Sequence, residues 1–380
     1  MFYKNARIFC SDFQFRTGAF EVTDEGLFGK ILPATVPADA IDLEGATVIP
    51  GLVDIHTHGN SGCDFSDGSP EGLRKMALYL AANGITSFAP ASMTLPYETL
   101  EQAFHAAAQL AEAPVDRGAR LMGIQMEGPY FSEKKKGAQN GAYLKAPDFE
   151  GFQKLYDGCK GLIRIVDIAP ELPGAADFIQ KASKLCAVSV AHTDADYQAA
   201  CRAFEAGATH LTHLYNAMPG IHHRSPGVIP AAVENENVRA ELISDGLHVH
   251  PASVRLAFSM FDARRMILVS DSLRCCGMPD GQYELGGQTV TLAGGVARLT
   301  DGTIAGSATN LFGCMKKAME FGIPEADAVR AATWNPACAI SAQDRIGSLD
   351  EGKFADFLVC RDGYTDIQVF LGGKALPPCV

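Results

Sequence analysis

Through the middle of the chain, short apolar runs alternate with stretches of helical period, and this alternation restricts the fold more than any single residue. Strand-like runs fall at residues 48–55, 86–91, 120–126, 163–169, 187–191, 209–214, 240–244 and 266–270. Short, nearly unbroken apolar runs are what strands buried on both faces require. Between them, residues 72–83 carry Leu73, Met76 and Leu80 on one helical face and stop at Gly84. Residues 98–110 repeat the period through Leu100, Phe104, Ala107 and Leu110. Residues 197–206 end at Gly207 and residues 251–262 open on Pro251, which suit a helix stop and a first turn. Eight strands alternating with helices predict an α/β fold, a (β/α)8 TIM-like barrel. The competing doubly wound sheet is disfavoured by the count of eight and by the lack of G-x-G-x-x-G after the first strand.

The two ends of the chain differ from the middle. Residues 6–10, 18–22 and 46–49, then 352–360 and 367–371, read as short strands with Gly and Asp between them. They predict a small β-sandwich domain from residues 1–47 and 345–380, leaving the barrel to residues 48–344. The Gly-rich, β-rich stretch after the eighth strand reads as a β-hairpin insert near 279–300, so the last barrel helix is expected at 310–321. A chain of 380 residues suits one barrel with a satellite.

A net charge of −12 argues against a nucleic-acid partner, which needs a basic face, but allows an anionic small substrate held by a few local cations. No run has the length of a signal peptide core or a membrane span, so a cytoplasmic protein with no membrane partner is expected. The 11 cysteines are scattered without a C-x-x-C pair, which suggests neither a disulfide framework nor a structural zinc site. The vicinal Cys275-Cys276 pair reads as packing.

Val48-Ile-Pro-Gly-Leu-Val-Asp-Ile-His-Thr-His58 starts as a buried strand and ends in two imidazoles. Strand side chains alternate, so His56 and His58 point the same way. In a barrel of this type the site is built at the carboxyl ends of the strands. There the third strand presents Glu127, the fifth His192, the sixth His213, the seventh Ser244-Asp-Gly-Leu-His248 and the eighth Asp271. Singly each is an ordinary loop cap; together they bring carboxylates and imidazoles to one rim. Two histidines and a carboxylate with an open position suit zinc or iron. Such an ion lowers the pKa of water towards ~7, and Asp271 is the natural group to take its proton and pass it to a leaving group.

The stretch Pro50-Gly-Leu-Val-Asp-Ile-His-Thr-His58 resembles the opening motif of the amidohydrolase superfamily. Further motifs narrow the resemblance to the N-acetylglucosamine-6-phosphate deacetylases. They are Met126-Glu-Gly-Pro-Tyr130, Lys136-Gly-Ala-Gln-Asn140, Ile168-Ala-Pro-Glu171, His213-Leu-Tyr-Asn-Ala-Met218, Ser225-Pro-Gly227, Ser244-Asp-Gly-Leu-His248 and Ala305-Gly-Ser307. The resemblance runs from about Val48 to the C-terminus, and His213–Met218 is its most specific part.

The resemblance implies that Glu127, His192 and His213 hold the principal metal, with Asp271 as acid and base. It implies that Ala138, Gln139, Asn216, Ala217, Arg224 and His248 bind an amino-sugar phosphate, with Ile304, Ala305 and Gly306 lining the sugar. It also implies a homodimer in which the Arg224 loop reaches the neighbouring site. The local cluster His222-His-Arg224 suits a phosphate clamp. Some members carry histidine where this chain has Gln139; its amide can donate a hydrogen bond but carries no charge, so carbonyl activation leans more on the metal. Some members lack the His-x-His pair and use one metal, while others have it, so His56 and His58 are candidates for a second metal site.

The implied reaction hydrolyses N-acetylglucosamine 6-phosphate to glucosamine 6-phosphate and acetate, the metal and Gln139 stabilising the oxyanion. The alternatives are another N-acyl amino-sugar phosphate, such as the galactosamine analogue, or a cyclic amide. A catalytically silent scaffold is a rival of another class, disfavoured because every candidate ligand is present.

Overall fold

The computed structural model describes residues 1–377, so the last three residues of the expected C-terminal segment lie outside it. Its middle region alternates eight parallel strands with eight helices. The strands are β1 (Leu52–Thr57), β2 (Ile85–Pro90), β3 (Ile124–Tyr130), β4 (Ile163–Ile168), β5 (Ala187–Val190), β6 (His210–Leu211), β7 (Arg239–Ile243) and β8 (Met266–Val269). The helix after each strand is α1 (Pro70–Ala82), α2 (Tyr97–Glu112), α3 (Phe149–Gly158), α4 (Ala175–Ala182), α5 (Tyr197–Glu205), α6 (Val228–Glu234), α7 (Pro251–Arg265) and α8 (Leu311–Glu320). Two more, α9 (Glu325–Ala332) and α10 (Trp334–Ala339), follow. Helix α1 begins as its residues require, with Ser69 accepting the Gly72 N–H at 3.1 Å and Pro70 in the first turn.

β1 pairs with β2, and β3 to β8 pair in chain order. Isolated parallel bridges join Ala91 to Gln125 and Thr57 to Ser272, linking β2 to β3 and β1 to the segment after β8. The strands alternate. On β7, Ala240 and Leu242 join the main cluster beneath the helices, with Phe104, Phe152, Phe178 and Phe261. Glu241 therefore faces the other way. Ile165, Ile243, Ile267 and Val269 form a separate apolar cluster with Ala337 of α10 and with Ile340 and Ile346 beyond it.

Three expected strands are cut differently. The run at 48–55 divides at Gly51 into Thr47–Pro50, which joins the terminal sheet, and β1. A Cβ on Gly51 would lie 2.0 Å from the Thr86 hydroxyl, so the chain turns where only glycine fits. The run at 120–126 divides into Arg120–Leu121, beside β2, and β3. β6 stops at Leu211, because His213 two residues on adopts φ +30° and leaves the ladder.

Strands from both end regions of the chain share one sheet. Thr47–Pro50 pairs in parallel with Phe2–Phe9 and antiparallel with Phe357–Arg361, so one eight-stranded sheet contains both termini. The rings of Phe28 and Phe357 stand 5.9 Å apart, although their strands are four places apart in the sheet order. A flat sheet would separate them by ~19 Å, so this sheet curls and its halves face each other across an aromatic core. The insert after β8 is larger than a hairpin. Gly281–Leu285, Gln288–Ala293, Val296–Leu299 and Ile304–Ser307 form four antiparallel strands. Leu285, Val290, Leu292 and Ala297 of the insert pack against Met93, Ala138 and Leu273.

Candidate active site

The rim residues converge. His56 and His58 come from the end of β1, Glu127 from β3, His192 and His213 from just past β5 and β6, and Asp271 from just past β8. Donor atoms of Glu127, His192 and His213 lie within 4.8 Å of one another, as do those of His56, His58 and Asp271. The backbone turns sharply to achieve this. His192, His213, Tyr215, Ala217 and Asp271 adopt φ of 44°, 30°, 76°, 52° and 48°. Left-handed backbone costs a non-glycine residue about 1–3 kcal/mol, strain that clusters where side chains must be aimed.

Glu127 links the two groups. Its Oε1 lies 3.1 Å from both His192 Nε2 and His213 Nε2, and its Oε2 lies 3.3 Å from His58 Nε2. His58 Nε2 is also 3.3 Å from Asp271 Oδ1, and His56 Nε2 is 3.8 Å from that oxygen. The far nitrogens of three rings are anchored. His56 Nδ1 meets Glu241 Oε2 at 2.8 Å, His58 Nδ1 the Ala91 carbonyl at 3.1 Å, and His192 Nδ1 the Lys135 carbonyl at 2.9 Å. Oxygen acceptors hold the proton on Nδ1 and leave Nε2 facing the site. His192 Nε2 and His213 Nε2 stand 3.1 Å apart, and the buried His56 Nε2 has no hydrogen-bond partner among the described residues. Imidazole lone pairs and carboxylates crowded in this way fit a divalent cation.

The electrostatics agree. Burial alone would raise the Glu127 carboxyl, but hydrogen bonds from His192 and His213 and the nearby His56 and His58 hold it well below the usual range. Burial likewise opposes charge on His56, yet the Glu241, Glu127 and Asp271 carboxylates outweigh it and raise its pKa well above the ordinary value. A bound cation would displace that proton. Burial pushes Asp271 up, and the hydrogen bond from His58 with the His56 charge brings it below the ordinary carboxylate value.

Glu241 was not among the sequence candidates. It is fully buried, meets His210 Nε2 at 3.0 Å as well as His56, and accepts the His213 N–H at 3.3 Å. Its signal was a carboxylate in the middle of the apolar strand Arg239–Ile243, where burial is costly without partners.

The substrate candidates come from five segments. Gln139 is buried, donating from Nε2 to Glu127 Oε2 at 2.7 Å and accepting the Thr94 N–H at 2.7 Å. The neighbouring Ala138 carbonyl accepts from Gln288 at 2.6 Å. Asn216 and Ala217 lie in the turn after β6; the Asn216 amide donates to the carbonyls of His213 and Leu214, and the Ala217 carbonyl accepts the Thr193 N–H. His248 Nδ1 meets Asp245 at 2.7 Å, and Asp271 contributes to the field on this ring. Ile304, Ala305 and Gly306 form the last insert strand, held beside Asp271 by the Ser307 N–H, which donates to the Asp271 carbonyl at 2.7 Å. A Cβ on Gly306 would lie 3.0 Å from that carbonyl, which explains glycine there. Arg224 is exposed and meets His223 Nε2 at 2.8 Å.

Residues 47–376 match the Amidohydrolase family. N-acetylglucosamine-6-phosphate deacetylase of Bacillus subtilis (strain 168) is 39% identical over 340 residues, covering 88% of this chain and 83% of its own. N-acetylgalactosamine-6-phosphate deacetylase of Escherichia coli O157:H7 is 32% identical over 352 residues, 92% of each chain. A mutant N-acetyl-D-glucosamine-6-phosphate deacetylase of Mycobacterium smegmatis, solved in complex with N-acetyl-D-glucosamine-6-phosphate, superposes with a TM-score of 0.92 at 30% identity, covering 99% of this chain and 98% of that one. A mixed α/β fold, two groups of converging histidines and carboxylates, and these likenesses agree: the chain belongs to the amidohydrolase family, among the N-acetylglucosamine-6-phosphate deacetylases.

Proposed function

We propose that this protein is a divalent-metal hydrolase that converts N-acetylglucosamine 6-phosphate and water into glucosamine 6-phosphate and acetate. The observation that carries the reading is the meeting of Glu127, His192 and His213 with Asp271 and His58 around one buried carboxylate, in a chain 39% identical to a deacetylase of that name. The test is acetate release by metal-loaded protein from the 6-phosphates of N-acetylglucosamine and N-acetylgalactosamine, and from unphosphorylated N-acetylglucosamine. Turnover of the first substrate with the highest kcat/KM is expected; none on any of them overturns the proposal. The galactosamine analogue is the second reading, favoured by the relative of that specificity at 92% coverage.

A divalent cation on these donors supplies Lewis acidity, polarising an amide carbonyl and easing deprotonation of water. Glu127, His192 and His213 would hold the principal ion, zinc or iron, and His56 and His58 with Asp271 would contribute to a second. Asp271 takes the proton of the attacking water and returns it to the amine nitrogen as the C–N bond breaks. Its depressed pKa keeps it ionised for the first of these steps. Asn216, Ala217, His248 and Ile304–Gly306 would line the amino sugar, and Arg224 would hold its phosphate.

We further infer that the eight parallel strands close as a (β/α)8 barrel, supported by the Ala91–Gln125 and Thr57–Ser272 bridges at the two seams. Residues 1–47 and 345–380 would form the small β domain and 48–344 the barrel, with Thr47–Pro50 crossing between them. A homodimer would bring Arg224 to the neighbouring site; exposed Ile221 and Leu247, each 50% accessible, are apolar groups for such an interface. Among the described residues no helix is long and apolar enough to cross a membrane. A cytoplasmic location is part of the proposal, to be tested by cell fractionation.

A further inference from the structure

Gln139 sits where the family resemblance suggests a group that polarises the substrate carbonyl, yet its amide is committed elsewhere. The Thr94 N–H can only donate and the Glu127 carboxylate can only accept, so the amide has one orientation, carbonyl to Thr94 and NH2 to Glu127, both at 2.7 Å. The same loop also governs His192. The Lys135 carbonyl takes the Nδ1 proton of that ring at 2.9 Å, and a Cβ on Gly137 would lie 3.5 Å from its Cε1. Two of the three side chains in the Glu127 group are thus oriented by residues 135–139. The loop is pinned from outside: Gln288 of the insert donates to the Ala138 carbonyl at 2.6 Å, and Ala138 packs with Leu285, Val290 and Leu292.

From this geometry we infer that Gln139 is a positioning residue for Glu127 rather than a donor to the substrate, and that the insert steadies the metal site through Gln288 and loop 135–139. The inference rests on the metal-hydrolase reading. Gln139 holds Glu127 Oε2 so that Oε1 faces His192 and His213, while its own carbonyl ties the loop to the segment after β2. The insert, remote in sequence from Glu127, then affects the ion without touching it. The outer pin acts on Glu127 through Gln139 and on His192 through Lys135, so losing Gln139 removes only the first of its two routes.

The test is titration of metal-stripped protein with Zn2+ alone, followed by kcat and KM at saturating Zn2+. Gln139→Leu is expected to weaken binding at the Glu127 group ~10–100-fold, the usual cost of losing a group that orients a metal ligand. At saturating Zn2+ its kcat should recover to within a few-fold of wild type. Gln288→Ala should weaken binding in the same direction by less, and adding it to Gln139→Leu should weaken binding by a smaller factor than it does in wild type. Gln139→Glu keeps the shape but sets a carboxylate against Glu127, and should bind Zn2+ less well than wild type; with Gln288→Ala it carries the test if the leucine variant fails to fold. Unchanged Zn2+ affinity with a kcat deficit that saturating metal does not repair would overturn the inference and return Gln139 to carbonyl activation. Wild-type protein that binds no divalent ion would instead overturn the function proposed above.

Discussion

Glu241 Oε2 lies 2.8 Å from His56 Nδ1 with both side chains fully buried, so a carboxylate inside the parallel strands sets which nitrogen of His56 faces the site. Glu241→Gln keeps the size but removes the charge that favours the Nδ1 proton. It should weaken metal binding at the His56 position ~10–100-fold. Metal titration with the Glu127 group still occupied measures this directly, and equal affinity in the two proteins would exclude the orienting role.

The His56 and His58 pair bears on metal count. A His56→Ala/His58→Ala variant should lose one ion per chain, leaving one at Glu127, His192 and His213. Elemental analysis of protein purified without chelator reads the difference; wild type with a single ion would reduce the pair to a lining of a one-metal pocket.

Asp271→Asn should lower kcat by about 10^2–10^4 while the Glu127 group still binds metal, as expected for loss of an acid–base group. The check is kcat together with metal content. Normal turnover by the loaded variant would remove the role.

Arg224 and Asp271 can be separated by mixing subunits. If Arg224 serves the neighbouring site, a heterodimer of Arg224→Ala and Asp271→Asn subunits has one intact site. Random exchange of equal amounts should restore about a quarter of wild-type sites. No recovery after verified exchange would place Arg224 in its own subunit's site.

Acid stability has a component far from the site. Arg7 grips Glu325 of α9 through two bonds of 2.7 and 2.6 Å, and Tyr364 adds a third at 2.7 Å, joining the terminal sheet to the helix. Burial would raise the Glu325 carboxyl, but the Arg7 and Tyr364 hydrogen bonds prevail and hold it below its ordinary value of 4.5. A depressed folded pKa contributes stability that is fully present above the unfolded value and is lost as pH falls through the folded one. Wild type should therefore exceed Glu325→Gln by about 1 kcal/mol near pH 7, a value limited by partial exposure of the pair. The gap should narrow below about pH 4. Urea midpoints of metal-free protein across that range provide the measurement, and a gap that widened on acidification would contradict the sign.

By itself the sequence determined the alternation of strands and helices, the β-rich ends and the candidate ligands Glu127, His192, His213, Asp271, His56 and His58. These are local properties: the 3.6- and two-residue periods, a glycine stop, or a polar residue closing an apolar run can be read within a few positions. The partners were not legible, because they are distant in sequence. Glu241 drew no notice in the sequence; alternation along β7 and the approach of β1 place it against His56. Nothing near Gln139 in the sequence announces that the Thr94 N–H and the Glu127 carboxylate meet the two ends of its amide. The left-handed turns at His192, His213 and Asp271 carry no glycine to announce them. Only the tertiary structure decided these points, since backbone strain and hydrogen-bond direction are set by what surrounding strands and loops press against each residue.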